Sequence, residues 1–430
     1  MYKEAYEITR YLADECGVRL AGTPQLDKGS DYVASKLQEY GVDVEFHRYQ
    51  IPVCNVTKSQ VKVKLGEEYQ SILHTAAMFA GETPKEGITL PLVYCGNGTA
   101  GELEQEEIRG KAVLICRDVY FEYPDLDMYK RLRQLGAAAV LYTTSDGQKG
   151  IPIVYANYEF MKEPYTIPTF VVSFEDATRI VQYGNTEVFL LAQYQVSMEC
   201  SQNTIGIIEG SDPNAGNVIV CAHLDSTLTS PGASDNAGGV AVTLMMAKYL
   251  AEKRARGVYP KRTVRFIAWS GHECGLHGSG KFVREHEDII RHTKFVLNYD
   301  GVGNALAIPK VTVGGQDSVQ AAIKNLLDRL KRQWPVVLGA DGVDTMSFAH
   351  KGIPHLTYSC GVYAGNHTPN DNMKWQAEHG FIDVIEFSKH VTDWMCDNTA
   401  IEHGYPEWLM DEFLTANRKY GWGSFSVEEK

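Results

Sequence analysis

Residues 217–225 read NVIVCAHLD and residues 263–270 read TVRFIAWS, and these two apolar runs decide the fold. A third run, KFVLNYD, follows at 294–300. Helical sequences separate them, with GGVAVTLMMAKYLAEKR at 238–254 and GSGKFVREHEDIIRH at 278–292. Fully apolar strands that alternate with helices predict an α/β fold with a mixed, largely parallel sheet sandwiched by helices. Ligands of such sheets bind beyond the carboxyl ends of the strands, so a site is expected just after each run.

The rest of the chain suggests further parts. Residues 1–65 read as helix, loop, helix and strand, and we expect them to join residues 197–400 in one discontinuous catalytic domain. Residues 66–196 change to short strands broken by glycine, proline and asparagine, which predicts a compact, small α+β insert. Residues 401–430 form an extension rich in aromatic residues, with Tyr405, Trp408, Phe413, Tyr420, Trp422 and Phe425. We expect this extension to pack on the catalytic domain; a swapped arm in a homodimer and a lid over the site are the alternatives.

Composition narrows the class of protein. The 430 residues are 44% apolar and 22% charged, which is close to the soluble globular average. A net charge of −13 argues against nucleic acid as a partner, because phosphate contacts need a basic face. No apolar run approaches 18 residues, so no membrane span is expected, and the N-terminus has no apolar segment typical of a secretory signal. The nine cysteines are scattered singly without a CxxC pair, and we therefore expect a cytoplasmic protein.

Side chains that can bind metal follow several of the apolar runs. They are His223, Asp235, Glu273, Asp300 and His367. Each has a structural interpretation of its own: His223 as a hydrogen-bonded buried histidine, for example, or Asp235 as the N-cap of a helix that starts at Asn236. Five such groups at the end of one sheet would be costly together unless they were paired or coordinated. Their convergence therefore favours a metal site.

Two local motifs compete for residues 272–282. His272-Glu273 followed by His277 is one residue too long for HExxH, so the two histidines would not share a helix face. Gly275 to Phe282 matches GxxxxGK after an apolar strand, but Phe282 stands where a phosphate loop supplies a hydroxyl for Mg²⁺. A nucleotide-binding protein is thus a weaker, third interpretation.

The combined pattern resembles the M28 family of zinc aminopeptidases over roughly residues 1–65 and 197–400. The resemblance is carried by five motifs in one order: His223-x-Asp225, Gly-Ala-x-Asp235-Asn-x-x-Gly, Glu273-x-Gly-Leu-x-Gly-Ser, Asn-x-Asp300 and His367-Thr-x-x-Asp371. The middle block, with VYCGNGTAGELEQEEIRGKAVLICRD and GAAAVLYTT, is more loosely similar to the protease-associated (PA) domain that is inserted into several members of this family.

The resemblance implies two divalent metal ions as cofactors, with Zn²⁺ favoured and Mn²⁺ or Co²⁺ able to substitute. His223 and Asp300 would hold one ion, Glu273 and His367 the other, and Asp235 would bridge them. Around these ligands, Asp225 would accept the second N–H of the His223 ring, and Asp371 would support His367 or its loop.

The chain departs from the family at two positions. Members usually carry two adjacent glutamates, of which the first is the general base, and here His272 stands in that place beside Glu273. Some members also place a tyrosine before the last histidine to stabilise the oxyanion, whereas this chain has Asn366, with Tyr363 a few residues earlier. His272 could be a working base, or the base could be another carboxylate or metal hydroxide, or the enzyme could be weak or dead. A histidine that only stacks over the site is a further alternative.

The leading functional hypothesis is a two-metal hydrolase that cleaves an amide next to a free amino group, an aminopeptidase or aminoacyl amidase. Its substrates would be short peptides or aminoacyl small molecules, because the insert would restrict access to the cleft. The alternative is an M28-like pseudoenzyme that binds metal or peptide but turns over weakly because of His272.

Overall fold

The computed structural model describes residues 1–117, 126–144, 167–339, 343–360, 365–397 and 400–410. Fourteen strands in these residues form one mixed sheet. In chain order they are β1 (Asp43–Leu65), β2 (Glu68–Ser71), β3 (His74–Ala76), β4 (Ile88–Tyr94), β5 (Ala112–Arg117), β6 (Ala139–Thr144), β7 (Thr169–Val172), β8 (Thr186–Ile208), β9 (Asn217–His223), β10 (Thr263–Trp269), β11 (Thr293–Tyr299), β12 (Lys310–Gly314), β13 (Val336–Leu338) and β14 (His355–Ser359).

Helices flank this sheet. The α-helices of the described residues are α1 (Tyr2–Arg10), α2 (Pro24–Glu39), α3 (Ala100–Gln105), α4 (Leu126–Leu135), α5 (Phe174–Tyr183), α6 (Gly239–Ala255), α7 (His277–Glu285), α8 (Glu287–His292), α9 (Asp317–Arg329), α10 (Thr345–Ala349) and α11 (Ile382–Asp397). Shorter π-helical or 3-10 turns span Tyr11–Cys16, Ala233–Gly238, Met373–Trp375 and Glu378–Phe381. Among the helices of the described residues, none combines the length and the apolar character that a membrane span requires.

Parallel strands make up the centre of the sheet. β9 lies between β10 and β11 and is parallel to both, and β11 is parallel to β14 on its other side. β8 and β12 flank this group in antiparallel pairing. Trp269 pairs with His223, so the carboxyl ends of β9 and β10 lie level with each other. The prediction of a mixed, largely parallel sheet is confirmed, and its carboxyl edge collects the segments that follow each strand.

The apolar runs become strands because both of their faces are covered. All seven residues of β9 are buried, as the continuous apolar sequence NVIVCA predicts for a central strand. Most of α6 is buried as well, since it packs against β9, β10 and β11. The predicted helix over 278–292 is divided at His286, which has a non-helical conformation between α7 and α8.

Two long strands connect the two ends of the sheet. β1 and β8 pair antiparallel from Asp43 with Ile207 to Val63 with Val188. Beyond them, β4, β5, β6, β7 and β3 continue the sheet, and the apolar side chains there form clusters apart from the large core under α6. The expected domain boundaries near 65 and 196 fall inside β1 and β8 or at their ends. The division into domains stays a prediction.

Part of the C-terminal extension contacts the end of the sheet. The hydroxyl of half-buried Tyr405 lies 2.8 Å from Nδ1 of His355 and donates to the carbonyl of Ile353 at 2.7 Å. Trp408 is about half exposed. The other aromatic residues of the extension, Phe413, Tyr420, Trp422 and Phe425, lie outside the described residues, so their predicted packing stays a prediction.

Candidate metal centre

Two imidazoles meet one carboxylate at the carboxyl edge of the sheet. Nε2 of His223, at the end of β9, lies 3.0 Å from Oδ1 of Asp235. Nε2 of His367 lies 2.9 Å from Oδ2 of the same side chain. Asp235 therefore presents one oxygen to each histidine, which is the arrangement of a carboxylate shared between two positions.

Two more carboxylates complete the cluster. Oδ1 of Asp300, directly after β11, is 3.6 Å from Nε2 of His223. Oε2 of Glu273, shortly after β10, is 3.6 Å from Nε2 of His367. Two ligand atoms of a tetrahedral zinc ion, each about 2.05 Å from the metal, are roughly 3.3 Å apart. The five predicted ligands are thus brought together, and each histidine faces the carboxylate predicted to share its ion.

Burial makes this cluster unfavourable without cations. His223, Asp235 and Glu273 are almost fully buried. Among the described residues, Oε1 of Glu273 has no hydrogen-bond partner, and Nε2 of His223 approaches Oδ1 of Asp235 without the geometry of a hydrogen bond. Burial, together with the charge of Asp235, raises the pKa of Glu273 to about 8. Burial also opposes ionisation of Asp235, but the two histidines hold its pKa well below the usual range. A mixed imidazole and carboxylate set with unpaired buried donor atoms fits divalent ions such as Zn²⁺.

The loop that carries Asp235 is fixed by other polar side chains. Both carboxylate oxygens of Asp371 accept backbone N–H groups from this loop, from Ser234 at 2.8 Å and from Asp235 at 2.9 Å. The side chain of Asn236 accepts the N–H of Gly239 at 3.1 Å, at the start of α6. The side chain of Asn236, and not that of Asp235, therefore accepts the first N–H of this helix, which leaves the Asp235 carboxylate available to the cluster.

Asp371 thereby has a partner loop that the sequence analysis did not name. We expected its carboxylate to support His367 or the loop around it. Asp371 belongs to that loop, and its carboxylate binds the loop of Asp235. The physical reason is that two adjacent N–H groups of a turn suit the two oxygens of one carboxylate. The support of His367 by Asp371 stays a prediction.

Asp225 also differs from its predicted role. Nδ1 of His223 lies 3.0 Å from the backbone carbonyl of Asp225 and 3.8 Å from its carboxylate. The carboxylate instead accepts the backbone N–H groups of His272 at 3.2 Å and Glu273 at 3.0 Å. The tautomer of His223 is still set by Asp225, but through the main chain, while the buried carboxylate shapes the turn after β10.

His272 lies against the cluster without being oriented as one of its ligands. Its ring stacks on that of His223, with centroids 3.8 Å apart and planes 11° from parallel. A histidine binds metal in the plane of its ring, so an ion bound by His223 lies well outside the plane of His272. Nε2 of His272 is 4.0 Å from Oδ2 of Asp300 and therefore points toward the Asp300 side of the cluster.

Asp344 is a polar residue of this site that the sequence analysis missed. Its Oδ2 lies 3.0 Å from Nδ1 of His272. The residue directly precedes α10 in the chain and is fully buried. Burial and His223 act to lower the pKa of His272, but Asp344, together with Asp300, raises it to about 9. Asp344 stands in an ordinary VDT sequence, where no motif marks it.

Arg19 was missed as well. Its guanidinium is fully buried and donates to five backbone carbonyls, those of Leu12, Gly17, Leu224, Pro231 and Gly232, at 2.7 to 3.0 Å. Three of these carbonyls belong to the segment between β9 and Asp235. Burial lowers the pKa of Arg19 to about 10, so the side chain stays charged at neutral pH. Arg19 thus connects the N-terminal segment to the loop that presents the bridging carboxylate.

The remaining predicted residues are placed less centrally. Asn366 is half-buried next to His367, whose φ of 56° lies in the left-handed region. Tyr363 lies outside the described residues. In the phosphate-loop candidate, Phe282 is buried in an apolar cluster, and Nζ of Lys281 lies 5.9 Å from the ring centroid of Tyr49. Phe282 supplies no hydroxyl to a bound Mg²⁺.

Comparisons with known proteins identify the family and the fold. The sequence profile of peptidase family M28 matches residues 203–386. The chain is 30% identical over 395 residues to aminopeptidase YwaD of Bacillus subtilis, covering 86% of this chain and 80% of that protein. It is 25% identical to carboxypeptidase Q of Rattus norvegicus, with the same coverage. The structure of BSAP, a zinc aminopeptidase from Bacillus subtilis, superposes with a TM-score of 0.74 at 23% identity, covering 95% of this chain and 98% of the other.

Proposed function

This chain belongs to peptidase family M28, and from that membership we propose that it is a two-metal aminopeptidase that acts on short peptides and aminoacyl amides. The observation that carries the proposal is the placement of Asp235, whose two oxygens face two different histidines at 3.0 and 2.9 Å. A carboxylate with both oxygens engaged in this way suits a pair of ions about 3.5–4 Å apart.

Each ion would have a distinct ligand set. His223 and Asp300 would hold the first, Glu273 and His367 the second, and Asp235 both. Zn²⁺ is the favoured metal because the ligands are imidazoles and carboxylates, and because the structural relative BSAP is described as a zinc enzyme. When bound, such a pair polarises a substrate carbonyl and makes a water molecule acidic enough to attack it near neutral pH.

His272 would handle the proton in this reaction. Its Nδ1 faces the Asp344 carboxylate, so the neutral ring carries its hydrogen there and leaves a lone pair on Nε2. Nε2, on the side of Asp300, would accept the proton that the attacking water loses. The same atom would then donate that proton to the leaving amine. The pKa of His272 is about 9 without ions, and two bound dications would lower it and so favour the neutral ring. The stacked His223 ring restricts rotation of His272 and keeps Nε2 pointed in one direction.

The insert and the named relatives bear on substrate choice. We propose that residues 66–196 are a PA domain that limits the site to short substrates. In support, Met78 and Phe79 of this block are buried in the same apolar cluster as Cys274, which follows Glu273.

One relative is named an aminopeptidase and another a carboxypeptidase. The experiment must therefore also determine whether residues are removed from the amino or the carboxyl end of a peptide.

A cytoplasmic location is proposed on the state of the cysteines. All nine are free in the structure, and seven of them are buried. Free thiols are typical of reducing compartments.

The direct test combines a metal count with a substrate panel. Purified protein loaded with zinc should retain two ions per chain and hydrolyse aminoacyl-arylamides and dipeptides with a free amino group. The matched controls are the same substrates with an acetylated amino group, which should not be cleaved. Two bound ions without hydrolysis of any substrate would favour the pseudoenzyme, and cleavage of the acetylated dipeptides would favour a carboxypeptidase.

A further inference from the structure

We propose that Asp344 is a positioning residue for His272, and that the two side chains together replace the single glutamate base of other M28 members. This inference rests on the proposed function and goes beyond it by adding a residue that no sequence motif marks. It is carried by the 3.0 Å contact between Oδ2 of Asp344 and Nδ1 of half-buried His272, and by the full burial of Asp344.

The contact with Asp344 fixes which nitrogen of His272 carries the hydrogen and which keeps a free lone pair. A carboxylate accepts hydrogen bonds and does not donate them, so Nδ1 must carry the hydrogen that points to Asp344. A neutral ring then has its free lone pair on Nε2, the atom on the side of Asp300. Without Asp344, the hydrogen could move to Nε2, and the ring would present a donor where an acceptor is required.

Burial of Asp344 indicates that it is kept for this partner. A fully buried carboxylate without a paired charge or hydrogen bonds costs several kcal/mol. His272 is the imidazole within hydrogen-bond distance of Asp344, and it holds the pKa of that carboxylate below its usual value although burial opposes this. An aspartate at this position is therefore stable beside a histidine and would be unfavourable beside a glutamate.

Charge explains how the pair can replace a carboxylate. A neutral imidazole hydrogen-bonded to a carboxylate has a net charge of −1, the same as one ionised glutamate. A pair of bound dications would therefore have the same negative charge beside it in both cases. When the ring takes up a proton, Asp344 stabilises the resulting cation from the side away from the ligands. The arrangement has the logic of an aspartate that orients a catalytic histidine in serine hydrolases.

The test is a comparison of Asp344→Asn in two backgrounds. In the otherwise natural chain we expect kcat to fall by about 10²-fold or more, with KM and zinc content little changed. In a His272→Glu chain the same substitution should leave kcat unchanged or raise it, because it removes a carboxylate that faces another carboxylate. A merely structural role would lower kcat in both backgrounds, and that result would overturn the proposal.

Glu285→Gln is the matched control. Oε2 of Glu285 lies 2.7 Å from Nε2 of His47, so this substitution also removes a carboxylate from a histidine, but away from the metal centre. It should leave kcat unchanged.

A spectroscopic measurement separates this inference from the proposed function. A histidine N–H bound to a carboxylate gives a proton resonance far downfield, and zinc-loaded protein should show one that Asp344→Asn and His272→Gln both remove and Glu285→Gln does not. If that resonance depends on Asp344 in a protein that hydrolyses nothing, the positioning role stands and the proposed function fails. Hydrolysis in a protein where Asp344→Asn changes neither the resonance nor kcat would overturn the positioning role alone.

Discussion

Asp235 connects the two halves of the metal centre at the scale of single residues. Asp235 faces both ligand histidines, His223 and His367, whereas Asp300 and Glu273 each face only one of these two. The three carboxylates have the same chemistry and differ in the number of ligand histidines that they face. Their substitution should therefore have different consequences for the number of bound ions.

We predict that Asp235→Asn lowers zinc content to less than one ion per chain, and that Asp300→Asn lowers it to about one. The reason is that loss of a bridging ligand weakens both positions, while loss of a terminal ligand weakens one. Elemental analysis after gel filtration in zinc-free buffer measures this. Lys281→Met, in the rejected phosphate loop, is the control and should retain two ions. Equal losses for the two aspartate variants would contradict a bridging role.

His272→Ala should keep both ions and lose most of the activity. Removal of a general base typically lowers the rate by about 10²- to 10⁴-fold, and His272 is not oriented as a ligand. Steady-state kinetics together with a metal count measure the two effects separately. Unchanged turnover would exclude His272 from the mechanism and would favour a ring that only stacks on His223.

At the scale of elements, the metal centre depends on loops that are held by buried polar contacts. The segment between β9 and α6 is held from one side by the guanidinium of Arg19 and from another by the carboxylate of Asp371. These contacts replace the hydrogen bonds that the loop backbone would otherwise make with water. They keep the ligand loop in place although it belongs to no strand.

We predict that Arg19→Met lowers the free energy of unfolding by about 3–5 kcal/mol, because it removes the side-chain donor from five backbone carbonyls, most of them buried. Zinc affinity should fall too, since three of these carbonyls precede Asp235. Urea unfolding and zinc titration measure the two quantities. Arg10→Met, at the exposed end of α1, removes only a surface ion pair with Glu7 and should leave the free energy of unfolding nearly unchanged.

At the scale of the whole molecule, the ligands join segments that are far apart in the chain. His223, Asp235, Glu273, Asp300 and His367 follow or lie between different strands of one sheet. Ions bound at this edge would contact several of the segments that separate on unfolding. Metal binding should therefore stabilise the entire catalytic part and not one loop alone.

We predict that removal of zinc by a chelator lowers the melting temperature and that added zinc restores it. A ligand that binds only the folded state at 100 times its dissociation constant adds about 2.7 kcal/mol to the stability. Differential scanning calorimetry at several zinc concentrations measures the shift. In Asp235→Asn the melting temperature should hardly respond to zinc; a full response there would place the stabilising ion elsewhere.

The sequence by itself determined the sheet and the types of ligand at its edge. Continuous apolar runs predict buried parallel strands, and parallel strands bring their carboxyl ends to one side, so His223, Glu273 and Asp300 could be placed together before any contact was known. The departure at His272 was also visible, because it occupies a fixed position beside a ligand.

Only the tertiary structure decided what supports these ligands. Asp344 lies 72 residues from His272, the Asp371 carboxylate binds an N–H 137 residues away, and Arg19 reaches a carbonyl 205 residues away. Helix and strand periodicity relates residues only a few positions apart, so contacts at such separations leave no local pattern. They exist because packing of the sheet and its helices closes the chain around buried polar groups, each of which must then find a partner.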